Sequence, residues 1–502
     1  MLVEMHSHTA ERSPCSSVSA VELVRQVSVK GLQGIVLTDH HYLWSADELK
    51  TLRHAAEVPD HFLILSGQEL SSAEFGDVLV FGASETLSRG TSLVEVRRRY
   101  PDVALVWAHP YRGSRVPSAE ELQDPLLDGI EIFNSNHTVR GNSRGLQDWH
   151  RYRFTAIAGT DTHGISYAGT YPTYFEHPLN SIGELAEEIR KGRCQPFLKE
   201  IPRSGANSRV TEVTIGTKGA DEVRERIIIK TLDNRQKWKT AERGHHIMEV
   251  IYGHGFDRGL YRVPRPIDED AATMTLIEQG MRGKLLYDKL LTASVEDGGD
   301  YLRLTARWLA RLHNSRLVIT PADEFLQKES KRLGKYLERF ADIRHPQLRK
   351  ASEIAAVVLE TEQKLVQEEP GLLVQGHGDF HPKNVFIGQD NQENRATLYV
   401  AAIDFDSSLV LPPAFDVGCF LGQFRNQFFG HVEILHLVPE TIFLEAYLEA
   451  ADMVSGDFGS QVGLFRARTN LSIAAYLIKL GLGESEDLWR VLVEAEQAVC
   501  NL

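Results

Sequence analysis

The sequence predicts an α/β chain in two parts, a βα-alternating barrel-like half followed by a two-lobed α+β body. Three observations support this. From residue 1 to about 195, short apolar runs alternate with amphipathic helical stretches, and several runs end on histidine, aspartate or glutamate. Near residue 200 this alternation stops in a stretch rich in proline, glycine and serine. The chain has 502 residues and 42% hydrophobic content, more than one core accommodates, since single cores stop growing at roughly 250–300 residues.

In the first half the run 34–37 ends at Thr38-Asp39-His40, the run 62–65 leads to Glu69, and the run 103–107 ends at His109. The run 129–133 ends at Asn134, and 154–158 leads to Asp161. Residues 20–30 and 92–99 read as amphipathic helices between them. In a parallel barrel the C-terminal ends of the strands converge on one face, where active sites sit.

Beyond the break, strand-like runs at 210–215 and 226–230 predict a small sheet lobe, and mostly helical patterning from about residue 300 predicts a larger lobe. Strand-like runs at 372–374 and 398–403 flank the polar motifs of this lobe. The polar stretch 390–395 reads as a hairpin or surface loop.

A net charge of −14 argues against nucleic acid held on a broad basic surface and favours small phosphorylated or hydroxylated metabolites. Four scattered cysteines (Cys15, Cys194, Cys419 and Cys500), with no CxxC pair, suggest neither a disulfide framework nor a zinc knuckle. No run approaches the ~20 apolar residues that span a bilayer, and no basic-then-apolar leader opens the chain. A reducing cytoplasm is the expected location, without a membrane partner. Oligomeric state stays open.

Five motifs offer metal donors at strand ends: His6-Ser7-His8, Thr38-Asp39-His40, Gly67-Gln68-Glu69, Ala108-His109-Pro110 and Gly159-Thr160-Asp161-Thr162-His163. One alone would read as a surface pair or a structural histidine. Five in one βα array read as a metal site, because such N and O donors hold zinc, manganese or iron and a carboxylate can bridge two ions. Their order and character resemble the PHP (polymerase and histidinol phosphatase) superfamily over residues 1–198. The resemblance implies a distorted (β/α)7 barrel with two or three divalent metals. It places His6, His8, Glu69 and Asp161 around one ion, makes Glu69 the bridge to a second ion that includes His109, and puts His40 with His163 at a third. Asp77 stands near a position where a histidine is common, and Asn134, Asn136 and His137 follow the strand before the Asp-x-His motif. The implied chemistry is phosphoester hydrolysis, with His163 or His40 also able to protonate a leaving oxygen.

Downstream, His377-Gly378-Asp379-Phe380-His381-Pro382-Lys383-Asn384 spaces Asp379 and Asn384 as in a kinase catalytic loop, and Ile403-Asp404-Phe405-Asp406 supplies a second magnesium position. Lys230, closing a strand, is the candidate phosphate-binding lysine, with Glu242 or Glu249 as its helix partner. These motifs resemble the aminoglycoside phosphotransferase and choline kinase family over about residues 203–485. Further matches are Gly205-Ala206-Asn207-Ser208, Met274-Thr275-Leu276-Ile277-Glu278, Leu309-Ala310-Arg311-Leu312-His313 and Phe415-Asp416-Val417-Gly418. The resemblance implies Asp379 as base, Asn384 and Asp404 as magnesium ligands, Lys230 on the phosphates of ATP and Glu278 in the adenine-side hinge. Asp416 is expected to brace the catalytic loop.

The expected protein is therefore bifunctional: a metal-dependent phosphoesterase over residues 1–198 and an ATP- and magnesium-dependent small-molecule kinase over 203–502. Two alternatives stand beside it. In one, a hydrolase is regulated by an inactive nucleotide-binding kinase-like module; in the other, the metal cluster serves a nuclease or diesterase. Neither substrate is fixed by the sequence.

Overall fold

The computed structural model describes residues 1–165, 167–201, 208–215, 225–390, 397–452 and 454–500. Contacts divide them into two compact units, Met1–Thr231 with Ile267–Ile277, and Leu232–Pro266 with Glu278–Leu502.

Ten strands build most of the first unit: β1 (Leu2–Glu4), β2 (Gly34–Leu37), β3 (Leu63–Ser66), β4 (Gln68–Ser72), β5 (Gly76–Phe81), β6 (Ala104–Trp107), β7 (Gly129–Phe133), β8 (Ala156–Ala158), β9 (Thr173–Phe175) and β10 (Cys194–Pro196). They pair as two five-stranded sheets, β10-β9-β1-β2-β3 and β4-β5-β6-β7-β8. Among the described residues no ladder closes these sheets into one ring, so the distorted (β/α)7 barrel implied by the sequence is not formed as a closed barrel. The chain turns straight from β4 through Ala73-Glu74-Phe75 into antiparallel β5, and β9 also runs antiparallel to β1. Isolated bridges Ser7 to Thr162 and His40 to Glu69 link the strand ends that carry the motifs.

Helices Ala20–Val29 and Ala46–Ala56 each begin with a capping box, Ser19 with Glu22 and Ser45 with Glu48. Val3, Met5, Val36, Leu65, Leu79, Val106 and Ile157 form an apolar core beneath the motif-bearing ends. A further five-stranded sheet joins Lys199–Ile201, Ser208–Ile215, Glu225–Leu232, Thr275–Gly280 and Pro266–Asp270. Its Val213, Ile227 and Ile277 share an apolar cluster with Trp107, Tyr111 and Ile130, all within the first unit.

The second unit is mainly helical. Helices Val295–Asn314, Glu324–Asp342, Leu348–Glu368, Pro413–Gln427, Phe458–Lys479 and Glu486–Cys500 enclose a core that includes Trp308, Phe380, Phe415, Phe420 and Phe465. Two antiparallel pairs carry its polar motifs: Val385–Gln389 with Leu398–Ala402, and Val374–Gly376 with Leu409–Leu411. The expected hairpin residues 205–207 and the loop at 391–395 lie outside the described residues. No helix among the described residues is long and apolar enough to cross a membrane.

Candidate functional site

The first unit gathers all seven of its candidate ligands. His6 Nε2 lies 3.2 Å from His8 Nε2, 3.5 Å from Glu69 Oε2 and 3.5 Å from Asp161 Oδ1. His8 Nε2 is 3.1 Å from each of those two oxygens. Metal–ligand bonds of ~2.1 Å place neighbouring ligand atoms about 3.0–3.4 Å apart in octahedral or tetrahedral geometry, so these four atoms have the spacing of a coordination shell. Glu69 also reaches outward: its Oε2 is 3.1 Å from His40 Nδ1, and its Oε1 is 2.9 Å from His109 Nε2. His40 stacks on His8 with ring centroids 4.5 Å apart, and His163 lies 5.0 Å from the same ring.

Glu69 and Asp161 are each 1% exposed, yet Glu69 Oε2 and Asp161 Oδ1 accept no hydrogen bond. The short approaches of His8 to both oxygens lack hydrogen-bond geometry. Leaving a buried carboxylate oxygen unpaired costs ~1–3 kcal/mol or more, and a divalent cation is the partner this donor set fits.

A second ring of groups fixes the donors. Glu131, fully buried in the otherwise apolar β7, meets His6 Nδ1 with Oε1 at 3.0 Å, while its Oε2 accepts from His109 N at 2.8 Å and Asn134 Nδ2 at 2.9 Å. Asn136 Nδ2 donates to Asp161 Oδ2 at 2.7 Å, which leaves Oδ1 for the cluster. Asp39 accepts from Thr9 N, Thr9 Oγ1, Ser13 Oγ and Trp44 Nε1, so it organises the surrounding loops. Gly159 is required here because a Cβ would sit 2.5 Å from both Glu131 Oε1 and His6 Cβ. His109 and Asp161 adopt φ of 34° and 49°, sparsely populated conformations held at the strand ends. Asp77 Oδ2 lies 3.9 Å from His109 Nε2, and His137 turns to Asn142 instead.

Burial opposes charge on His6, but Glu131, Asp161 and Glu69 outweigh it and raise its pKa well above the ordinary histidine value. Burial likewise disfavours charged His8, yet Asp161 and Glu69 push it up to about 9. Burial resists ionisation of Glu69, and the charge of His6 together with the neighbouring His109 and His8 overcomes this, holding it well below the usual range. Protons on histidines thus balance the carboxylates, and a cation would displace them. On the rim, burial lowers the pKa of His40 and of His163.

Sequence reasoning missed Glu131, although a glutamate inside the apolar run Gly129-Ile130-Glu131-Ile132-Phe133 was a visible signal. It also missed Cys15: its Sγ and one ring nitrogen each of His8 and His40 lie within 4.8 Å of one another.

In the second unit, the 377–384 loop is braced as expected. Asp416 accepts from His377 N at 2.7 Å and Gly378 N at 2.8 Å, and its Oδ2 lies 3.2 Å from His313 Nε2. Gly378, at φ 79°, has no room for a Cβ, which would collide with the Ser407 carbonyl. Asn384 Nδ2 donates to the Asp379 carbonyl at 3.0 Å, and Ile403 N donates to the Asn384 carbonyl at 3.0 Å, so the pair of strands sets Asn384 beside the Asp404 turn. Asp404 takes φ 69°. The Asp379 carboxylate is about half exposed, 3.7 Å from His381 Nε2. What burial it has would raise its pKa, but His381, His377 and Arg332 bring it down to about 2. Lys230 belongs to the first unit, half-buried on strand Glu225–Leu232, while Glu278 is buried on Thr275–Gly280 in the second. Glu249 is 68% exposed and faces His246, whereas Glu242 is half-buried.

A family profile described as "Phosphotransferase enzyme family" matches residues 200–451, just over half of the chain. The chain belongs to the phosphotransferase enzyme family. Its C-terminal part is a kinase-like phosphotransferase domain of the aminoglycoside phosphotransferase and choline kinase type. Among solved structures, this phosphotransferase is similar to an ethanolamine kinase of Plasmodium vivax (15% identity, 60% of this chain and 82% of that one, TM-score 0.39). It is also similar to a choline kinase of Cryptosporidium parvum (13% identity, 61% and 89%, TM-score 0.42). An uncharacterized protein of Methanocaldococcus jannaschii is 23% identical over 148 residues, 27% of this chain and 84% of that protein.

Proposed function

We propose that the chain joins a metal-dependent phosphoesterase, residues 1–198, to an ATP-dependent kinase of a small-molecule hydroxyl, residues 203–502. The hydrolase reading rests on one observation above the others: His6, His8, Glu69 and Asp161 converge at ligand-to-ligand distances while two buried carboxylate oxygens lack a partner. In that reading the half is PHP-like, and two or three zinc, manganese or iron ions, when bound, neutralise phosphate charge and activate water. The protein's own part is positional. Glu69, whose two oxygens face different histidines, would hold ions on both sides, Glu131 aims His6, and Asn136 frees Asp161 Oδ1. His40 and His163, the more exposed members, stand where an incoming phosphoester reaches them first.

For the kinase half, family membership is joined by the braced catalytic loop. Asp379, ionised at neutral pH and open to solvent, takes the proton of the acceptor hydroxyl. Asn384 and Asp404 would hold magnesium, Glu278 would serve the adenine-side hinge, and Lys230 is the family-implied candidate for the phosphates of ATP.

Phosphate release from a panel of phosphomonoesters and diesters with manganese or zinc tests the first half, and ATP consumption with magnesium and hydroxylated small molecules tests the second. Monoester turnover together with acceptor-dependent ATP use supports the proposal. Diester-only cleavage redirects the first half to nuclease chemistry, and nucleotide binding without consumption for any acceptor redirects the second to sensing.

A further inference from the structure

We propose that the acceptor of the kinase half is an anionic small molecule, whose hydroxyl meets Asp379 while a carboxylate or phosphate group of the same molecule is received by Arg332. The inference rests on the kinase reading of residues 203–502 and names the substrate class of that site.

Arg332 stands on helix Glu324–Asp342, nearly one turn after the buried Glu329. The guanidinium of Arg468 grips both oxygens of Glu329, with Nε 2.6 Å from Oε2 and Nη2 2.9 Å from Oε1. Glu329 is therefore neutralised without Arg332, which shares Oε1 through Nη1 at 2.9 Å. Glu362, the other acid of the cluster, is fully buried, and neither of its oxygens has a hydrogen-bond partner. A carboxyl group so placed keeps its proton, because an unpaired buried charge is far less stable than the neutral acid. Two guanidinium charges thus face one carboxylate. Arg468 is buried, whereas the Arg332 side chain is 26% exposed, so the surplus charge belongs to the member that reaches solvent.

That charge is felt at the catalytic loop. The Asp379 carboxylate has His381 Nε2 at 3.7 Å. Burial works against its ionisation, yet His381, His377 and Arg332 together bring its pKa down to about 2, so cations dominate the surroundings of the base. A cationic acceptor meets repulsion there. An anionic one gains a charge-assisted contact, since a guanidinium carries five N–H donors and the bond to Glu329 occupies one of them. In the transfer the acceptor O–H bond breaks and its proton passes to Asp379. The freed oxygen bonds to the γ-phosphorus of ATP as the bond from that phosphorus to the bridging oxygen breaks, releasing ADP. Arg332 exchanges no proton; it holds the acceptor so that its hydroxyl lies at Asp379.

ADP formation by the full chain with magnesium and ATP tests this. The acceptors are short polyols, each offered as the neutral alcohol, the carboxylate, the phosphate monoester and the amine. The expected result is a kcat/KM about tenfold or more higher for an anionic form than for the matched alcohol, with the amine poorest; the two anionic arms tell a carboxylate from a phosphate. Arg332→Gln should erase this preference by raising the KM of the anionic acceptor roughly 10–100-fold, with the KM of ATP unchanged, and Arg332→Lys should restore part of it. Neutral or amine acceptors used as well as the anions overturn the proposal and leave the kinase reading standing. An Arg332→Gln effect on the KM of ATP in place of that of the acceptor overturns it too. No ADP formation with any form of any polyol sinks the kinase reading and the proposal together. Should Arg332→Gln fail to fold, the charge preference of the wild-type chain decides alone.

Discussion

His6 Nδ1 lies 3.0 Å from Glu131 Oε1, and neither side chain reaches solvent. The contact fixes the imidazole so that Nε2 faces His8, Glu69 and Asp161, and it makes that nitrogen a stronger donor. Glu131→Gln keeps the shape and removes the charge, so metal affinity is expected to fall by about 10–100-fold. Chelator competition on the wild type and the variant measures this; equal affinities would mean that Glu131 does not orient the ligand.

Asp379 stands at the end of a loop braced by Asp416 and Asn384. Asp379→Asn should lower phosphoryl transfer by roughly 10²–10⁴-fold, the range for loss of a general base, with nucleotide affinity unchanged. Transfer rate and nucleotide titration together check it. Because its folded pKa is brought down to about 2, Asp379 remains ionised throughout pH 5–8. Any acid limb of the transfer rate in that window must come from another group and should persist with Asp379→Glu.

Arg468 and Glu329 form a buried pair at 2.6 and 2.9 Å, 7% and 0% exposed. Arg468→Ala leaves the carboxylate short of its main partner and is expected to cost ~3–5 kcal/mol. Denaturant unfolding of the second unit's transition reads this directly.

Glu362 is fully buried beside that pair, and neither of its carboxyl oxygens has a hydrogen-bond partner. Burial, reinforced by the charge of Glu329, raises its pKa well above the ordinary 4.5. The sign follows: folding favours the protonated form, so its contribution is complete below about pH 4.5 and is lost as pH rises through the folded value. Glu362→Gln should match the wild type near pH 4.5 and exceed it at pH 8, by about 2–4 °C in Tm for each ~1 kcal/mol recovered. A variant less stable than wild type at pH 8 would contradict this.

The strand ends and their donors were legible because a ligand following an apolar run is a local pattern. His6, His8, His40, His109, Asp161 and His163 come together just beyond the ends of their strands, and Glu69 joins them from the start of β4 rather than from the end of β3. The pairing of β4 with antiparallel β5 across Ala73-Glu74-Phe75 was not legible, since register and direction depend on which strands meet rather than on local pattern. Glu131 escaped because its role depends on meeting His6, 125 residues earlier in the chain. Cys15 escaped because scattered cysteines were weighed only as pairs. In the second unit, the spacing of Asp379, Asn384 and Asp416 is short enough for sequence to capture, whereas the buried set of Glu329, Glu362 and Arg468 joins three distant helices.

The central claim is that one chain carries two separable phosphate chemistries. The most direct test crosses two variants with two assays: Glu69→Ala and Asp379→Ala, each assayed for metal-dependent phosphate release and for acceptor-dependent ATP consumption. The account predicts that Glu69→Ala loses only phosphate release and Asp379→Ala only ATP consumption. Loss of both activities in either variant, or phosphate release untouched by Glu69→Ala, would contradict it.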